Sequence, residues 1–233
     1  MIKISIIIPI YKEFNNIEIL SLKIIKYLKN NIYEVIFVDD SSNDGSEKLL
    51  KKIKKKHKNF SYIIRKKNRD LTQSCFDGIK KAKYDYIQIM DGDLQHNPKY
   101  IVNLKNILVK KDVDLVVGGR NLIKGENPGL PFVRRISSIF IVFMFYMFGK
   151  KTIDPMSGFF LFKKKIYNKN KKYLFGKGYK ILADLLFNSK SNILVKDFII
   201  TFDLRLKDKS KMNFITLLNL IKLYFHILKN KIF

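Results

Sequence analysis

Short apolar segments alternate with stretches of helix length along the first half of the chain. The segments are rich in β-branched and aromatic residues, which is typical of strands, and we assign five of them, at residues 4–10, 34–39, 61–65, 84–90 and 114–117. A stretch long enough for a helix follows each of the first four. This alternation predicts an α/β fold with a mostly parallel central sheet flanked by helices.

Polar residues mark the beginning of two of the predicted helices. Ser42, Asp44 and Glu47 indicate a helix start after the second strand. Asn97, which stands before Pro98, indicates another start after the fourth strand. The loops that leave these strands are therefore expected to face one common side of the sheet.

Carboxylates stand directly after two of the predicted strands. Asp39 and Asp40 end the second strand, and Asp91 and Asp93 follow the fourth on either side of Gly92. Ligands of open α/β sheets bind at the carboxyl ends of strands, so we expect the site there. Two carboxylates this close offer hard oxygen ligands to Mg²⁺ or Mn²⁺, and such an ion would neutralise a departing diphosphate. An Asp-Gly-Asp turn also serves capping and solvation, and the pair alone does not decide between these roles.

The pattern changes after residue 120. A Gly/Pro-containing loop at residues 125–131 leads into a predicted apolar helix at 133–148 and then a predicted strand at 158–162. Residues 139–148 form an unbroken apolar run of ten, which is too short to span a bilayer. We interpret this half of the chain as the side that receives the acceptor.

The charge balance and the cysteine count limit the binding partners and the cellular compartment that fit the protein. Lys and Arg number 46 against 20 Asp and Glu, which gives a net charge of +26. This charge favours polyanions such as anionic lipid, phosphorylated substrates or nucleic acid, but it is equally consistent with a compositional bias that has no binding role. The single Cys75 excludes an intrachain disulfide, and the three histidines show no zinc spacing. These counts favour a reducing, cytoplasmic setting.

Four ordered motifs carry the most specific signal. They are Ser-Ile-Ile-Ile-Pro-Ile-Tyr-Lys-Glu at 5–13, Val-Asp-Asp-Ser-Ser-Asn-Asp-Gly-Ser at 38–46, Asp-Gly-Asp-Leu-Gln-His at 91–96 and Asp-Pro-Met-Ser-Gly-Phe at 154–159. Their order and spacing resemble glycosyltransferase family 2. Within that family the sequence is most similar to the polyprenyl-phosphate, or dolichol-phosphate, mannosyltransferase group, over roughly residues 1–211.

The resemblance implies a fold, a reaction and a division of the chain. The fold would be the GT-A type of nucleotide-diphospho-sugar transferases, with residues 1–120 as the donor-binding half and 121–211 as the acceptor half. The enzyme would be inverting and would move a hexose of the mannose or glucose type from GDP-mannose or a UDP-hexose to polyprenyl phosphate. A family 2 enzyme that acts on a sugar hydroxyl in a cell-surface glycan is the alternative.

The resemblance also assigns roles to residues. The donor nucleotide would be held by Pro9, Tyr11, Glu13, Asp39, Asp40, Asp91 and Gly92, and Mg²⁺ or Mn²⁺ by Asp91, Asp93 and Gln95. The catalytic residues would be Asp93, Asp154 and Arg120. The structural alternatives are that Pro9 and Tyr11 end a strand, that Asp40 and Asp44 cap the next helix and that Gln95 is a loop residue.

Asp154 matches the acidic position that serves as general base in family members with hydroxyl acceptors. A lipid phosphate oxygen is already anionic and needs no proton removed, so the role of Asp154 here would be positional. The structural alternative is that Asp154 caps the turn at Pro155.

The acceptor phosphate would meet a group of basic and hydroxyl side chains that match positions of the polyprenyl-phosphate group, namely Arg120, Arg134, Ser138, Arg205 and Lys211. Ser138 lies one helical turn beyond Arg134. The sequence departs from the family pattern at Asp70, where many members have glycine, and at Ile139, where a basic residue is common.

Residues 212–233 predict an amphipathic C-terminal helix. Their polar residues recur every three or four positions and include lysines but no acid. The broad apolar face suits an anionic membrane surface, or it packs on the catalytic domain. We therefore expect a cytoplasmic protein that is peripheral on the inner face of the membrane, and a membrane-protein partner is compatible with this location.

A different class of function is a non-catalytic basic protein that binds a membrane or nucleic acid through its lysines. This alternative leaves the acidic motifs at the strand ends unexplained. No RNA-binding aromatic signature or DNA-reading helix motif stands out, so we expect no nucleic-acid partner.

Overall fold

The computed structural model describes residues 2–66, 68–120, 141–149, 151–203 and 214–232. Its strands are β1 (Lys3–Ile10), β2 (Ile32–Asp39), β3 (Phe60–Ile64), β4 (Tyr86–Ile89), β5 (Leu115–Gly119), β6 (Phe160–Lys163) and β7 (Val195–Ile199). Its helices are α1 (Phe14–Leu28), α2 (Ser46–Lys56), α3 (Leu71–Lys81), α4 (Tyr100–Lys110), α5 (141–146), α6 (Lys164–Asn170), α7 (Ile181–Asn188) and α8 (Phe214–Ile232).

The strands of the described residues form one sheet in the order β3-β2-β1-β4-β6-β5-β7. Strands β1 to β4 run parallel to one another, and β5 runs parallel to β7, but β6 is antiparallel to both of its neighbours. The predicted α/β fold with a mostly parallel sheet flanked by helices is confirmed. The sequence located β6 within two residues but did not predict its reversed direction.

Strand β1 shows why the strands of this sheet have continuous apolar sequences. Every residue from Ile4 to Ile10 is buried, because helices cover both faces of the sheet. Successive side chains point to opposite faces, so Ile7 packs in one core layer and its neighbours Ile6 and Ile8 pack in the other. The layer of Ile7 contains residues of α3, α7 and α8, and the opposite layer contains residues of α1, α2 and α4.

The predicted helix starts lie close to the observed ones, although the capping differs in detail. Helix α2 begins at Ser46, whose N–H donates to Asp44 Oδ1 at 3.1 Å. Asp44 Oδ2 also accepts from the N–H of Phe14, the first residue of α1, at 3.3 Å. Helix α4 begins two residues after Pro98, and the predicted cap Asn97 accepts the N–H of Lys99 at 3.1 Å. Asp44 thus joins the starts of α1 and α2.

Helix α8 packs one face against the protein core. Leu223 and Ile227 are buried in the layer that also contains residues of α7. The ring of Tyr224 lies 4.9 Å from that of Phe148, and Lys231 Nζ donates to the Phe148 carbonyl at 2.6 Å. Within the described ranges, no helix combines the length and apolarity that crossing a membrane requires.

We predict that Ile227→Ala destabilises the protein while Ile221→Ala on the same helix does not. Ile227 is 0% exposed and Ile221 is 42% exposed. Removing a buried isoleucine costs about 2–5 kcal/mol, whereas an exposed substitution costs about 0.5 kcal/mol or less. Urea unfolding of both variants measures the difference. Equal midpoints for the two variants would show that α8 does not contribute to the core.

Candidate active site

The carboxyl ends of β2, β1 and β4 lie side by side at one edge of the sheet. Ile10 is level with Asp39 of β2, and Ile7 is level with Ile89 of β4. Asp91 follows Ile89 by two residues, so the Asp-Gly-Asp turn leaves β4 beside the end of β1. The structure therefore brings together the strand ends that carry the predicted donor and metal residues.

The loops at this edge have an unusual backbone. Four non-glycine residues have φ between +51 and +65°, in the left-handed region, and they are Lys12, Ser41, Asn43 and Leu94. Residues with a Cβ adopt this region only when their surroundings hold them there. Ser42 Oγ accepts the N–H of Lys12 at 2.9 Å, and Ser41 Oγ donates to the carbonyl of Arg65 at 2.6 Å. The loops are thus fixed by their own contacts, as in a preformed ligand site.

Asp39 and Asp40 are both buried and both engaged. Asp39 Oδ1 accepts from the backbone N–H of Ser42 at 3.1 Å and from its hydroxyl. Burial raises the pKa of the Asp39 carboxyl, and the Ser42 hydrogen bonds oppose that rise. Asp40 pairs with the buried Arg65 guanidinium and accepts the N–H of Asp70 at 2.7 Å. Asp40 therefore contacts Arg65 and not the start of α2, which its alternative role as a cap would require.

The Asp91 carboxylate occupies space that only a glycine leaves open. A Cβ at Gly158 would lie 2.3 Å from Asp91 Oδ2, so any side chain there would displace the carboxylate. The N–H of Asp91 donates to His96 Nδ1 at 3.3 Å. Asp93 Oδ1 accepts the N–H of Gln95 at 3.2 Å. These contacts hold the two carboxylates on either side of Gly92.

Two carboxylates and the Gln95 amide form a set of hard oxygen donors that fits Mg²⁺ or Mn²⁺. In the part of the chain that the structure describes, no three His, Cys, Asp or Glu side chains come together as metal ligands. We expect an ion at this edge to be held by Asp91, Asp93, Gln95 and the oxygens of its substrate. This residue set stays a prediction.

Arg120 and Asp154 form a buried ion pair beside the Asp-Gly-Asp turn. Arg120 Nε donates to Asp154 Oδ2 at 2.8 Å and its Nη2 donates to Oδ1 at 3.1 Å. The backbone N–H of Arg120 also donates to Oδ2 at 3.2 Å. Burial alone would raise the pKa of Asp154, but the charge and hydrogen bonds of Arg120 hold that pKa below its usual value. Asp154 is therefore an ionised carboxylate whose two oxygens bind Arg120.

Neighbouring polar groups fix the turn at residues 154–159. The N–H of Ile153 and the hydroxyl of Thr152 both donate to the Asp197 carboxylate on β7. Ser157 Oγ donates to the carbonyl of Gly118 on β5 at 2.7 Å. Asp154 also accepts the N–H of Met156 at 3.3 Å, which is the turn-capping role considered from the sequence.

The first predicted donor residues line the loop after β1. The ring of Tyr11 lies under the guanidinium of Arg69, which is 4.4 Å from the ring centroid. Glu13 is buried, and its Oε2 accepts the side-chain N–H of Asn16 at 2.6 Å. Pro9 is the penultimate residue of β1 and is level with Val38 of β2. Their roles in nucleotide binding stay predictions.

Of the predicted acceptor residues, the structure describes Arg120. Arg134, Ser138, Ile139, Arg205 and Lys211 lie outside the described residues. The sequence did not predict three groups that contribute to the site, namely Arg65, His96 and Lys180. Arg65 pairs with Asp40, and His96 accepts the N–H of Asp91. The Lys180 ammonium lies 3.4 Å from the Met156 carbonyl. A basic residue at the end of an apolar strand was a usable signal for Arg65. Nothing in the local sequence distinguishes Lys180 from its neighbours.

We predict that Asp154→Asn destabilises the protein by about 3–5 kcal/mol at neutral pH, because it leaves the Arg120 charge buried and unpaired. The pKa of Asp154 is lowered by folding, so its contribution is present above the unfolded pKa and is lost as pH falls through the folded value. The difference between wild type and variant should therefore shrink below about pH 4. Urea unfolding across pH measures it, and a difference that grows in acid would contradict the ion pair.

Comparison with known proteins agrees with this geometry. The family model described as Glycosyl transferase family 2 matches residues 5–170. The chain is 30% identical to the dolichol-phosphate mannosyltransferase of Pyrococcus furiosus, over 97% of this chain and 64% of that protein. It is 31% identical to the dolichol-phosphate mannosyltransferase of Saccharomyces cerevisiae, over 91% of this chain and 82% of that protein. The chain thus spans slightly less than two thirds of the length of the archaeal relative.

Solved structures of glycosyltransferases share the fold. The glucosyl-3-phosphoglycerate synthase of Mycobacterium tuberculosis superposes with a TM-score of 0.69 at 15% identity, over 98% of this chain and 80% of that one. A mannosyltransferase of Pyrobaculum calidifontis, solved with GDP-Man and Mn²⁺, superposes with a TM-score of 0.61 at 14% identity, over 84% of this chain and 54% of that one. The predicted GT-A type fold is confirmed. From the strand-end site and the family match, the chain belongs to glycosyl transferase family 2 and is a glycosyltransferase.

Proposed function

We propose that the protein transfers a hexose, of the mannose or glucose type, from GDP-mannose or a UDP-hexose to polyprenyl phosphate with inversion at the anomeric carbon. The two relatives named as dolichol-phosphate mannosyltransferases support this acceptor. The observation that carries the proposal is the state of Asp154.

Asp154 is poorly suited to act as a base. A general base needs an accessible oxygen near the hydroxyl proton and a pKa close to the working pH. Asp154 is fully buried, both of its oxygens accept from Arg120, and its pKa is lowered. A sugar hydroxyl acceptor needs such a base, whereas a phosphate acceptor arrives as an anion. The geometry therefore favours a phosphate acceptor.

Arg120, held by Asp154, is the cation that we expect to bind the substrate phosphate. Two of its N–H groups bind Asp154, and a guanidinium has five N–H donors, so this pair leaves three donors for phosphate oxygens. In the transfer, an acceptor phosphate oxygen attacks the anomeric carbon as the bond from that carbon to the donor diphosphate breaks. The nucleoside diphosphate leaves with the bonding electron pair, and no proton is transferred.

We place the divalent ion at Asp91, Asp93 and Gln95. When bound, Mg²⁺ or Mn²⁺ neutralises charge that develops on the leaving diphosphate. The absence of a side chain at Gly158 leaves room for the Asp91 carboxylate at this edge, which supports this placement. The M. tuberculosis synthase has also been solved with Mn²⁺, UDP and phosphoglyceric acid.

A panel of labelled sugar nucleotides tests the proposed reaction, with polyprenyl phosphate and polyprenol as paired acceptors. We expect one donor to yield a glycosyl phosphate lipid, and no product on polyprenol. Product on polyprenol or on a glycan hydroxyl would favour the hydroxyl-acceptor alternative. Salt-dependent binding to lipid or nucleic acid without any turnover would favour the non-catalytic alternative.

We also propose that the protein lies on the cytoplasmic face of the membrane. Phe143, Met147, Ile221 and Phe225 are exposed large apolar residues, and we call them the apolar face. The Tyr224 hydroxyl contacts the Met147 sulfur at 3.6 Å, which places the two segments of this face side by side. Exposed lysines on α8 adjoin it, and the combination of apolar area and cations suits an anionic lipid surface or a membrane-protein partner.

We predict that Asp93→Asn lowers transfer at least ~10²-fold, because a lost metal ligand removes several kcal/mol of charge stabilisation. Asp85→Asn is the matched control, since Asp85 is exposed at the opposite end of the same strand region. Initial rates with added Mg²⁺ or Mn²⁺, and with excess chelator, measure the effect. Undiminished transfer in excess chelator would contradict the assignment of a metal ion to this site.

We predict that Phe225→Ser together with Met147→Ser weakens binding to anionic liposomes by about tenfold or more, because each change removes apolar area from the contact. Phe225 is 61% exposed and Met147 is 72% exposed, so folding should be unaffected. Leu22→Ser is the control, since Leu22 is 57% exposed on α1 in the opposite layer. Sedimentation with liposomes, and nucleotide affinity in solution, provide the two readouts. Unchanged sedimentation of the double variant would refute the membrane contact.

A further inference from the structure

The segment at residues 176–180, which we call the lysine loop, ends at the transfer site. Lys180 immediately precedes α7, and its ammonium is 3.4 Å from the carbonyl oxygen of Met156. Met156 belongs to the turn that begins at Asp154, so the ammonium lies at the edge where the Arg120–Asp154 pair is found. The lysine loop thus brings a second cation to this edge.

The charges around Lys180 favour an anionic ligand. Arg120 is paired with Asp154 at 2.8 Å, whereas Lys180 takes part in no ion pair with the residues that the structure describes. Burial, and then repulsion by Arg120, lower the pKa of the Lys180 ammonium, while Asp154 and Asp91 oppose that change. A half-buried ammonium beside a guanidinium gains most from a ligand that carries negative charge, such as a phosphate oxygen.

Asp70 ties the lysine loop to the nucleotide half of the protein. Its Oδ2 accepts the N–H of Gly178 at 2.7 Å, and its Oδ1 accepts the N–H of Gln73 at 3.0 Å. The Gly178 carbonyl accepts from both the N–H and the hydroxyl of Thr72 at 3.0 Å. Both backbone groups of Gly178, which has φ +89°, are therefore fixed two residues before Lys180.

The same aspartate reaches the nucleotide site. The backbone N–H of Asp70 donates to Asp40 at 2.7 Å, and the adjacent Arg69 covers the ring of Tyr11. Asp70 thus connects the loops after β1 and β2 with the lysine loop. The glycine that many family members have at this position has no carboxylate, so it could not accept the N–H of Gly178.

We propose that Lys180 contacts a phosphate oxygen at the transfer point, and that Asp70 is the positioning residue that fixes Lys180 there. This inference rests on the proposed function, because it takes the ligands at this edge to be the donor diphosphate and the acceptor phosphate. Both ligands present the same chemistry to an ammonium. Binding of the donor diphosphate and of the acceptor phosphate must therefore be measured separately.

The test compares Lys180→Met, Lys180→Arg and the control Lys177→Met, which removes an exposed lysine from the same loop. One arm titrates GDP and UDP with Mg²⁺ in the absence of acceptor, and the other measures KM for polyprenyl phosphate. Loss of a charge-assisted hydrogen bond to phosphate predicts a loss of about 10- to 100-fold in one of the two arms for Lys180→Met. Lys180→Arg should recover part of that loss, which a purely structural role would not predict.

A loss of nucleotide affinity identifies the donor diphosphate as the ligand, and a raised acceptor KM identifies the acceptor phosphate. If Lys180→Met matches Lys177→Met in both arms, the proposal is wrong. The nucleotide arm needs no acceptor, so it remains valid if polyprenyl phosphate is not the substrate. Failure of the proposed function appears separately, as absence of product from the wild-type protein.

A double-mutant cycle tests the role of Asp70. Asp70→Asn should impair the same readout as Lys180→Met, either nucleotide affinity or acceptor KM, by a smaller factor. The double variant should be no worse than Lys180→Met alone. Two losses that multiply in full would show that Asp70 does not act through Lys180. Because the cycle compares binding within folded protein, a lower stability of the Asp70 variant does not affect the comparison.

Discussion

The buried ion pair of Arg120 and Asp154 is the interaction on which the site depends. A carboxylate without access to water is costly unless a cation and hydrogen bonds compensate for lost hydration, and Arg120 supplies both. The pair joins the end of β5 to the turn at residues 154–159, and separating them would leave a buried charge. One residue is thereby fixed as an anion and the other as an orientated cation. The resulting edge suits substrates that carry phosphate.

Close backbone packing gives the edge its shape. The reversed direction of β6 brings the turn before it beside the end of β4, where Gly158 leaves room for the Asp91 carboxylate. A Cβ at Gly118 would lie 2.4 Å from the ring of Phe159, so the turn also fits closely against β5. The Ser157 hydroxyl stabilises this contact by donating a hydrogen bond to the Gly118 carbonyl. The small residues of the fourth motif therefore position charged groups that belong to other strands.

The sequence was sufficient for features that depend on local pattern. Apolar runs located the strands, and the acidic residues after them located the edge where ligands would bind. Features that depend on contacts between distant residues were not predictable in this way. The direction of β6 follows from its pairing with β4 and β5, and the partner of Asp40 is an arginine 25 residues away. Lys180 reaches the site through hydrogen bonds of its loop backbone, which leave no pattern in the sequence.

Helix α8 shows the same limit. Its periodicity predicts an amphipathic helix, but periodicity cannot say whether protein or lipid covers the apolar residues. The structure divides them, since Leu223 and Ile227 face the core while Ile221 and Phe225 are exposed. Packing on the catalytic domain therefore accounts for part of the predicted apolar face, and a membrane contact of the exposed residues stays a proposal.

We propose that Asp154 holds Arg120 in place and takes no proton during transfer. The most direct measurement is the rate of a single turnover in H₂O and in D₂O, with donor prebound and polyprenyl phosphate saturating. If the acceptor attacks as an anion, no proton moves in the transition state and the two rates should be equal after correction for solvent viscosity. A clearly slower reaction in D₂O, with a rate difference that disappears in Asp154→Asn, would show that Asp154 acts as a base. That result would contradict the proposed role of Asp154.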